Sequence, residues 1–132
     1  MIVVDSSVWI DFFNGVSTPE VERLDGLLGA TPVVIGDLIL VEVVQGFRHE
    51  KDVATARQLF RSLAPLPMLG DRNAWKAAEN DRELRRRGIT VGKTIDGIIA
   101  TVWIEANLPL LFSDRDSMPY VEHLRLRPAH RR

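Results

Sequence analysis

A three-layer α/β/α sandwich, with a short and mostly parallel sheet wrapped by helices, is the fold class this sequence predicts. Runs too brief for helices and rich in Val, Ile and Leu (2–4, 33–35, 66–69 and 110–112) alternate with longer stretches whose apolar residues recur at helical spacing. No internal repeat, low-complexity segment or linker interrupts this alternation, so residues 1–132 read as a single domain.

Ile2-Val3-Val4 stops at Asp5-Ser6-Ser7, whose side-chain oxygens suit the start of a helix carrying Val8, Trp9, Phe12 and Phe13 and ending at Asn14-Gly15. Thr18-Pro19-Glu20 combines an N-cap, a first-turn proline and a first-turn acid. Val21, Leu24, Leu27 and Leu28 form the apolar stripe of that second helix, up to Gly29. After the strand 33–35, Asp37 is the expected cap of an almost wholly apolar helix 38–47, in which Glu42 and Gln45 stand out. Asp52 opens a stretch with Val53, Ala56, Leu59, Phe60 and Leu63. The run 66–69 suits only a sheet edge, because Pro67 has no N–H to donate. Asp71 is the expected cap of a long charged helix through Arg87, stopped by Gly88, and Thr94 that of a helix to about Ala106, broken by Asn107-Leu108-Pro109. The strand 110–112 delivers the chain to a polar turn at 113–117, and one more short strand is expected around 124–126.

Composition narrows the chemistry. With no cysteine in 132 residues, disulfides, thiolate zinc sites and thiol nucleophiles are absent, in keeping with a reducing cytosol. The start of the chain lacks a basic leader and a small-residue cleavage site, and no apolar run approaches the roughly 18 residues of a membrane span, so a cytoplasmic protein with no membrane partner is expected. Net charge is only -1, but residues 1–70 carry -4 and residues 71–132 carry +3, which makes the second half the one suited to a polyanion.

Three acids fall where α/β sheets gather chemistry, at the carboxyl ends of strands and the start of a helix, and a fourth lies within a helix. Asp5 closes the first strand, Asp114 follows the strand 110–112, and Asp96 lies in the first turn after Thr94, where the helix dipole favours a carboxylate by about 0.3–1 kcal/mol. Glu42 sits inside an apolar helix, where an isolated charge would be costly to bury. Taken singly, each has an ordinary explanation as a cap, a turn residue or a surface charge. Converging on one pocket, they would repel one another unless cations were bound, and oxygen-only ligands select Mg²⁺, with Mn²⁺ a close second, over zinc. His49, His123 and His130 have no metal-ligand spacing and read as surface residues.

Asp5-Ser6-Ser7 after an apolar strand, Glu42 within 38–46, Thr94-Ile95-Asp96-Gly97 and Ser113-Asp114-Arg115-Asp116 together resemble the acidic motifs of the PIN-domain ribonucleases, and most of all the VapC-type toxins of VapBC toxin–antitoxin modules. The resemblance spans essentially the whole chain in order and spacing. It implies a PIN-like fold in which Asp5, Glu42, Asp96 and Asp114 form the metal-binding catalytic quartet, with Asp116 a further acid near the metal. Ser117 departs from the pattern, since many relatives carry Phe there. The activity implied is Mg²⁺-dependent hydrolysis of RNA by water. Asp5, Asp96 and Asp114 would be metal ligands, Glu42 a ligand or water-orienting base, and Ser6 and Ser113 hydroxyls that orient the carboxylates.

An acidic pocket needs flanking cations to hold an RNA backbone, and Lys93, Arg115 and the Arg85-Arg86-Arg87 block are the candidates. Tyr120 is the only tyrosine and no strand is rich in aromatics, so recognition by backbone and shape is expected rather than base stacking. The resemblance implies a structured RNA such as a tRNA or rRNA loop. It also suggests that the apolar set Trp9, Phe12, Phe13, Leu40, Val43, Val44 and Phe47, which otherwise reads as core, contributes to a groove for a VapB-like antitoxin helix and to a homodimer interface. Two other classes fit less well. A phosphoacceptor signalling domain or a haloacid-dehalogenase-type phosphatase requires a second acid where Ser6 or Ser7 stands, and a non-catalytic PIN-like RNA-binding module has no need of the intact acidic set.

Overall fold

The computed structural model describes residues 1–90, 93–112 and 124. The elements run β1 (Ile2–Val4), α1 (Ser6–Phe13), α2 (Pro19–Leu27), β2 (Val33–Gly36), α3 (Asp37–Gln45), α4 (Glu50–Arg61), β3 (Ala64–Leu66), α5 (Asp71–Arg86), α6 (Thr94–Ala106) and β4 (Leu110–Leu111). Among the described residues the sheet has four strands in the order β3-β2-β1-β4, with every pairing parallel. Val3 is the pivot of the register, opposite Val34 on one side and Leu110 on the other. Every residue of β1, β2 and β4 is buried, as parallel strands covered on both faces must be, whereas β3 is largely exposed at the edge.

The chain steps from β1 to β2 to β3 in one direction and then returns across the sheet to β4. Because parallel crossovers are right-handed in about 98% of cases, this reversal sets α1–α4 on one face and α5 and α6 on the other. The strand order therefore switches direction between β1 and β4, the place where open α/β sheets leave a crevice at their carboxyl ends. The core fills both faces: Trp9 packs edge-on to Phe60 at 5.0 Å and against Phe12 and Phe13, while Trp103 and Phe112 are buried.

Several boundaries differ from the sequence reading, each for a local reason. Asp37, Asp71 and Thr94 are the first residues of their helices rather than caps, the cap positions being Gly36, Gly70 and Lys93. Asp37 instead clamps two segments, its Oδ1 accepting from Leu38 N–H at 2.8 Å and from Met68 N–H at 3.1 Å. The helix expected from Asp52 begins at Glu50. The edge strand is Ala64–Leu66, two residues earlier than expected, with Pro65 as its proline; Met68 is buried, not because it is in the sheet but because it packs beside Gly36. The expected strand at 124–126 lies outside the described residues except for Leu124, whose backbone is helical and which packs on the core. Other stops are as read. Gly88 adopts φ +76°, open to glycine at no steric cost, and Ile89 N–H closes back on Leu84 O at 2.9 Å. Asn107 ends α6 in the left-handed region at φ 55°.

Gly36 is required by close approach: a Cβ there would collide with Met68 Sδ and lie 2.7 Å from its Cε. Because Met68 is fully buried, it has no free space to withdraw into. Gly36→Ala is expected to cost about 1–3 kcal/mol in denaturant titration. Combined with Met68→Val, the loss should be smaller than the sum of the single losses, and strict additivity would show that the collision is not the cause.

Candidate functional site

The site is built at the carboxyl ends of β1 and β4. Asp5 leaves β1 and caps α1, its N–H donating to Leu111 O at 2.8 Å, which seats it beside the end of β4. It is 4% exposed, and its Oδ2 accepts from Ser7 Oγ at 2.8 Å and from Ser7 N–H at 3.4 Å. Next to it Ser6 Oγ donates to Glu42 Oε1 at 2.8 Å, joining α1 to α3. This explains a carboxylate inside an apolar helix: it faces a polar cleft and holds a hydroxyl.

That cleft, about 310 Å³, is lined by Ser6, Ser7, Ile10, Glu42, Gln45, Lys93 and Asp96. Asp96, half-buried in the first turn of α6, and Asp5, at the cap of α1, both lie at positive helix ends, which favour the ionised carboxylate. Lys93 is the one cation among the lining residues. Behind Asp96, Asn80 of α5 donates to Thr101 Oγ1 at 2.9 Å and Thr101 donates to Gly97 O at 2.7 Å, so α6 is fastened to α5 one turn from the acid.

Of the expected residues, Ser6, Glu42, Asp96 and Lys93 line the cleft and Asp5 is joined to it through Ser7; Asp114, Asp116, Ser113 and Arg115 lie outside the described residues. Among the described residues, no three acids or histidines are grouped closely enough to hold an ion. The arginine block splits. Arg85 pairs with Asp81 at 3.0 Å and lines a neighbouring cleft with Lys93. Arg86 and Arg87, at 2.6 and 2.9 Å, both bind Glu83, whose carboxyl those two hydrogen bonds hold below its ordinary pKa. Neither lines the acidic cleft; an acid three and four residues upstream takes them both. His49 is exposed at the start of α4.

Three cleft residues escaped the sequence reading. Ser7 rather than Ser6 holds Asp5, while Gln45 and Ile10 join the wall; Gln45 lies three residues after Glu42 and Ile10 four after Ser6, so helical spacing was the available signal for these two. The apolar set is mostly core: Trp9 and Val43 are buried, and Phe12, Phe13, Val44 and Phe47 pack against them. Leu40 is exposed, and with Val44 it lines a separate groove of about 370 Å³ that also includes Phe60, Pro65, Arg57 and Arg61. No helix among the described residues is long and apolar enough to cross a membrane.

The fold has counterparts among solved structures. A chain of the DNA-bound VapBC from Salmonella typhimurium is 19% identical, with 97% of both chains covered and a TM-score of 0.75. A chain of FitAcB from Neisseria gonorrhoeae is 17% identical, with 97% of this chain and 96% of that one covered and a TM-score of 0.71. A chain of VapBC2 from Rickettsia felis, bound to a DNA fragment from the promoter, is 19% identical, with 83% and 85% covered and a TM-score of 0.67. At such identities the likeness speaks for the fold. The profile of the PIN domain matches residues 2–124, almost the entire sequence, and the protein belongs to the PIN domain family.

Proposed function

We propose that the chain is a Mg²⁺-dependent endoribonuclease toxin of VapC type that cuts a structured RNA and is neutralised by a VapB-like antitoxin. The observation that carries this reading is the acidic cleft: Glu42 and Asp96 face one hollow, with Asp5 joined to it through Ser7, at the switch point of a PIN fold. Carboxylates brought together in this way repel one another, and a bound cation offsets that repulsion. Asp114 and Asp116 follow Leu111 in the sequence by three and five residues, and Leu111 O accepts from Asp5 N–H.

The donors at the cleft are carboxylate and hydroxyl oxygens, which suit Mg²⁺ or Mn²⁺. Asp5, Asp96 and Asp114 would hold the ion with Asp116 nearby, and it would supply charge neutralisation and an activated water for in-line attack on a phosphodiester. The chain's own residues do the rest. Ser7 fixes the orientation of Asp5, and Ser6 that of Glu42, which accepts or positions the proton of the attacking water. Lys93 offsets the acids and draws the RNA phosphate to the cleft. The groove lined by Leu40 and Val44 together with Arg57 and Arg61 suits an antitoxin helix that is apolar with acidic residues beside the apolar face, and VapC resemblance brings with it a homodimer.

Incubated with tRNA or rRNA fragments, the purified chain is expected to cut with Mg²⁺ or Mn²⁺ and to stop on chelation. RNA left intact under both metals, with labelling of the protein by a small phosphodonor instead, would replace this reading with a phosphoacceptor one. Ser6→Ala is expected to slow cleavage about 10–100-fold, the usual effect of removing a partner that orients a metal-site carboxylate. Its melting temperature should fall by no more than a few degrees, because the hydrogen bond lost contributes only about 1 kcal/mol.

A further inference from the structure

Among the described residues two polar side chains are buried, Asp5 and Thr101. Asp5 belongs to the acidic site. Thr101 lies inside α6 with Ile99, Ala100, Val102 and Trp103 buried around it, where a hydroxyl costs free energy unless its hydrogen bonds are made. Both are made. Thr101 Oγ1 donates to Gly97 O at 2.7 Å and accepts from Asn80 Nδ2 of α5 at 2.9 Å. A carbonyl can only accept, so the hydroxyl proton points at Gly97 and the lone pairs are left for the Asn80 amide. The chain of bonds is directional, from Asn80 through Thr101 to the carbonyl of the residue that follows Asp96.

The start of α6 has little else to hold it. Its N-cap, Lys93, makes no side-chain cap hydrogen bond, and the Gly97 N–H reaches Lys93 O only at 3.4 Å. Close packing against α5 is missing there too, because a cleft of about 520 Å³, lined by Ala77 and Ala78 of α5 and by Thr94, Gly97 and Ile98 of α6, opens between the two helices. The ion pair of Arg72 with Glu105, at 3.6 Å, joins α5 to the other end of α6, and its arginine is 83% exposed, where water screens it.

We propose that Asn80 is a positioning residue of the acidic site: through the Thr101 hydroxyl it fixes the Gly97 carbonyl, and with it the first turn of α6 that presents Asp96 to the metal. Asn80 itself lies outside the acidic cleft. The proposal rests on the nuclease reading and deepens it by adding a residue of α5 to the machinery. Orientation of a metal-site carboxylate is worth holding, since a ligand that wanders loses affinity for the ion.

Asn80→Asp keeps the shape of the side chain, but a carboxylate can only accept, so it competes with Gly97 O for the Thr101 proton and reverses the chain of bonds. Thr101→Val keeps the branching and removes the hydroxyl. In the metal-free protein, amide hydrogen exchange over residues 97–101 should speed about 5-fold in either variant, as for the loss of one hydrogen bond. The Kd for Mn²⁺, read by calorimetry, should rise about 10-fold, the low end for a partner that orients a metal-site carboxylate. Thr101→Ser should recover most of the affinity that Thr101→Val loses, and Asn80→Asp combined with Thr101→Val should bind no more weakly than Thr101→Val alone, because both act through one hydroxyl. Unchanged Mn²⁺ affinity in Asn80→Asp, even with a lower melting temperature, overturns the proposal, and the nuclease reading then stands if the unmutated chain cuts RNA. Should Asn80→Asp fail to fold, equal Mn²⁺ affinity in Thr101→Val and Thr101→Ser overturns it instead. An unmutated chain that neither binds Mn²⁺ nor cuts RNA overturns both.

Discussion

Asp96→Asn is expected to abolish metal-dependent RNA cleavage while the protein stays folded. The amide keeps the size and shape of the side chain but removes the charge that a dication requires, and Asp96 occupies a first-turn position of α6 that does not cap the helix. Partners that merely orient metal ligands cost about 10–100-fold when removed, so losing a ligand should cost more than about 100-fold. Binding supplies a readout independent of activity. A ligand that binds only the native state at 100 times its Kd stabilises it by about 2.7 kcal/mol, so Mg²⁺ or Mn²⁺ should raise the melting temperature of the unmutated chain by several degrees and that of Asp96→Asn by much less. Asp5→Asn should behave alike, because asparagine caps α1 nearly as well as aspartate and can still accept from Ser7. Cleavage retained by either variant would remove these acids from the active site.

Trp9→Ala is expected to bring the protein close to unfolding. The ring is fully buried and touches Phe12, Phe13 and Phe60, with Phe47 one ring further on. Truncating a buried aromatic costs about 3–5 kcal/mol, a large share of the 5–15 kcal/mol typical of a domain. Trp9 Nε1 finds no hydrogen-bond partner among the described residues, so the indole buries a donor at a loss. Trp9→Phe therefore sheds that penalty while keeping most of the apolar contact, and should cost less than about 2 kcal/mol. Urea titrations with a common slope would separate the two variants, and equal midpoints would show that Trp9 contributes little packing.

The parts of this molecule visible in its sequence were those set by strong local chemistry. Buried strands announce themselves as unbroken Val, Ile and Leu, and Thr18-Pro19, Gly88 and Asn107 stop or start helices through φ preferences and hydrogen bonds confined to a few residues. Asp5, Glu42 and Asp96 could be singled out because a carboxylate next to apolar residues is conspicuous. Long-range partners were not visible. Nothing local shows that Asp37 would hold Met68 N–H instead of capping its own helix, that Ser7 would serve Asp5 and Ser6 serve Glu42, or that Glu83 would occupy Arg86 and Arg87. Met68 made 66–69 look like a strand because burial alone does not distinguish a sheet residue from one packed beside it. The exposure of Trp75, against the burial of Trp9 and Trp103, likewise depends on which helix face meets the sheet.

The contact between Asp5 and Leu111 joins points about a hundred residues apart, and the two strands concerned, β1 and β4, lie side by side in the sheet. A ribosome extruding this chain must therefore release it as far as Leu111 before Asp5 can meet β4. A nascent polypeptide that stops short of Leu111 carries every earlier motif yet lacks the assembled hollow, so on the nuclease reading a lethal activity is withheld until β4 has emerged.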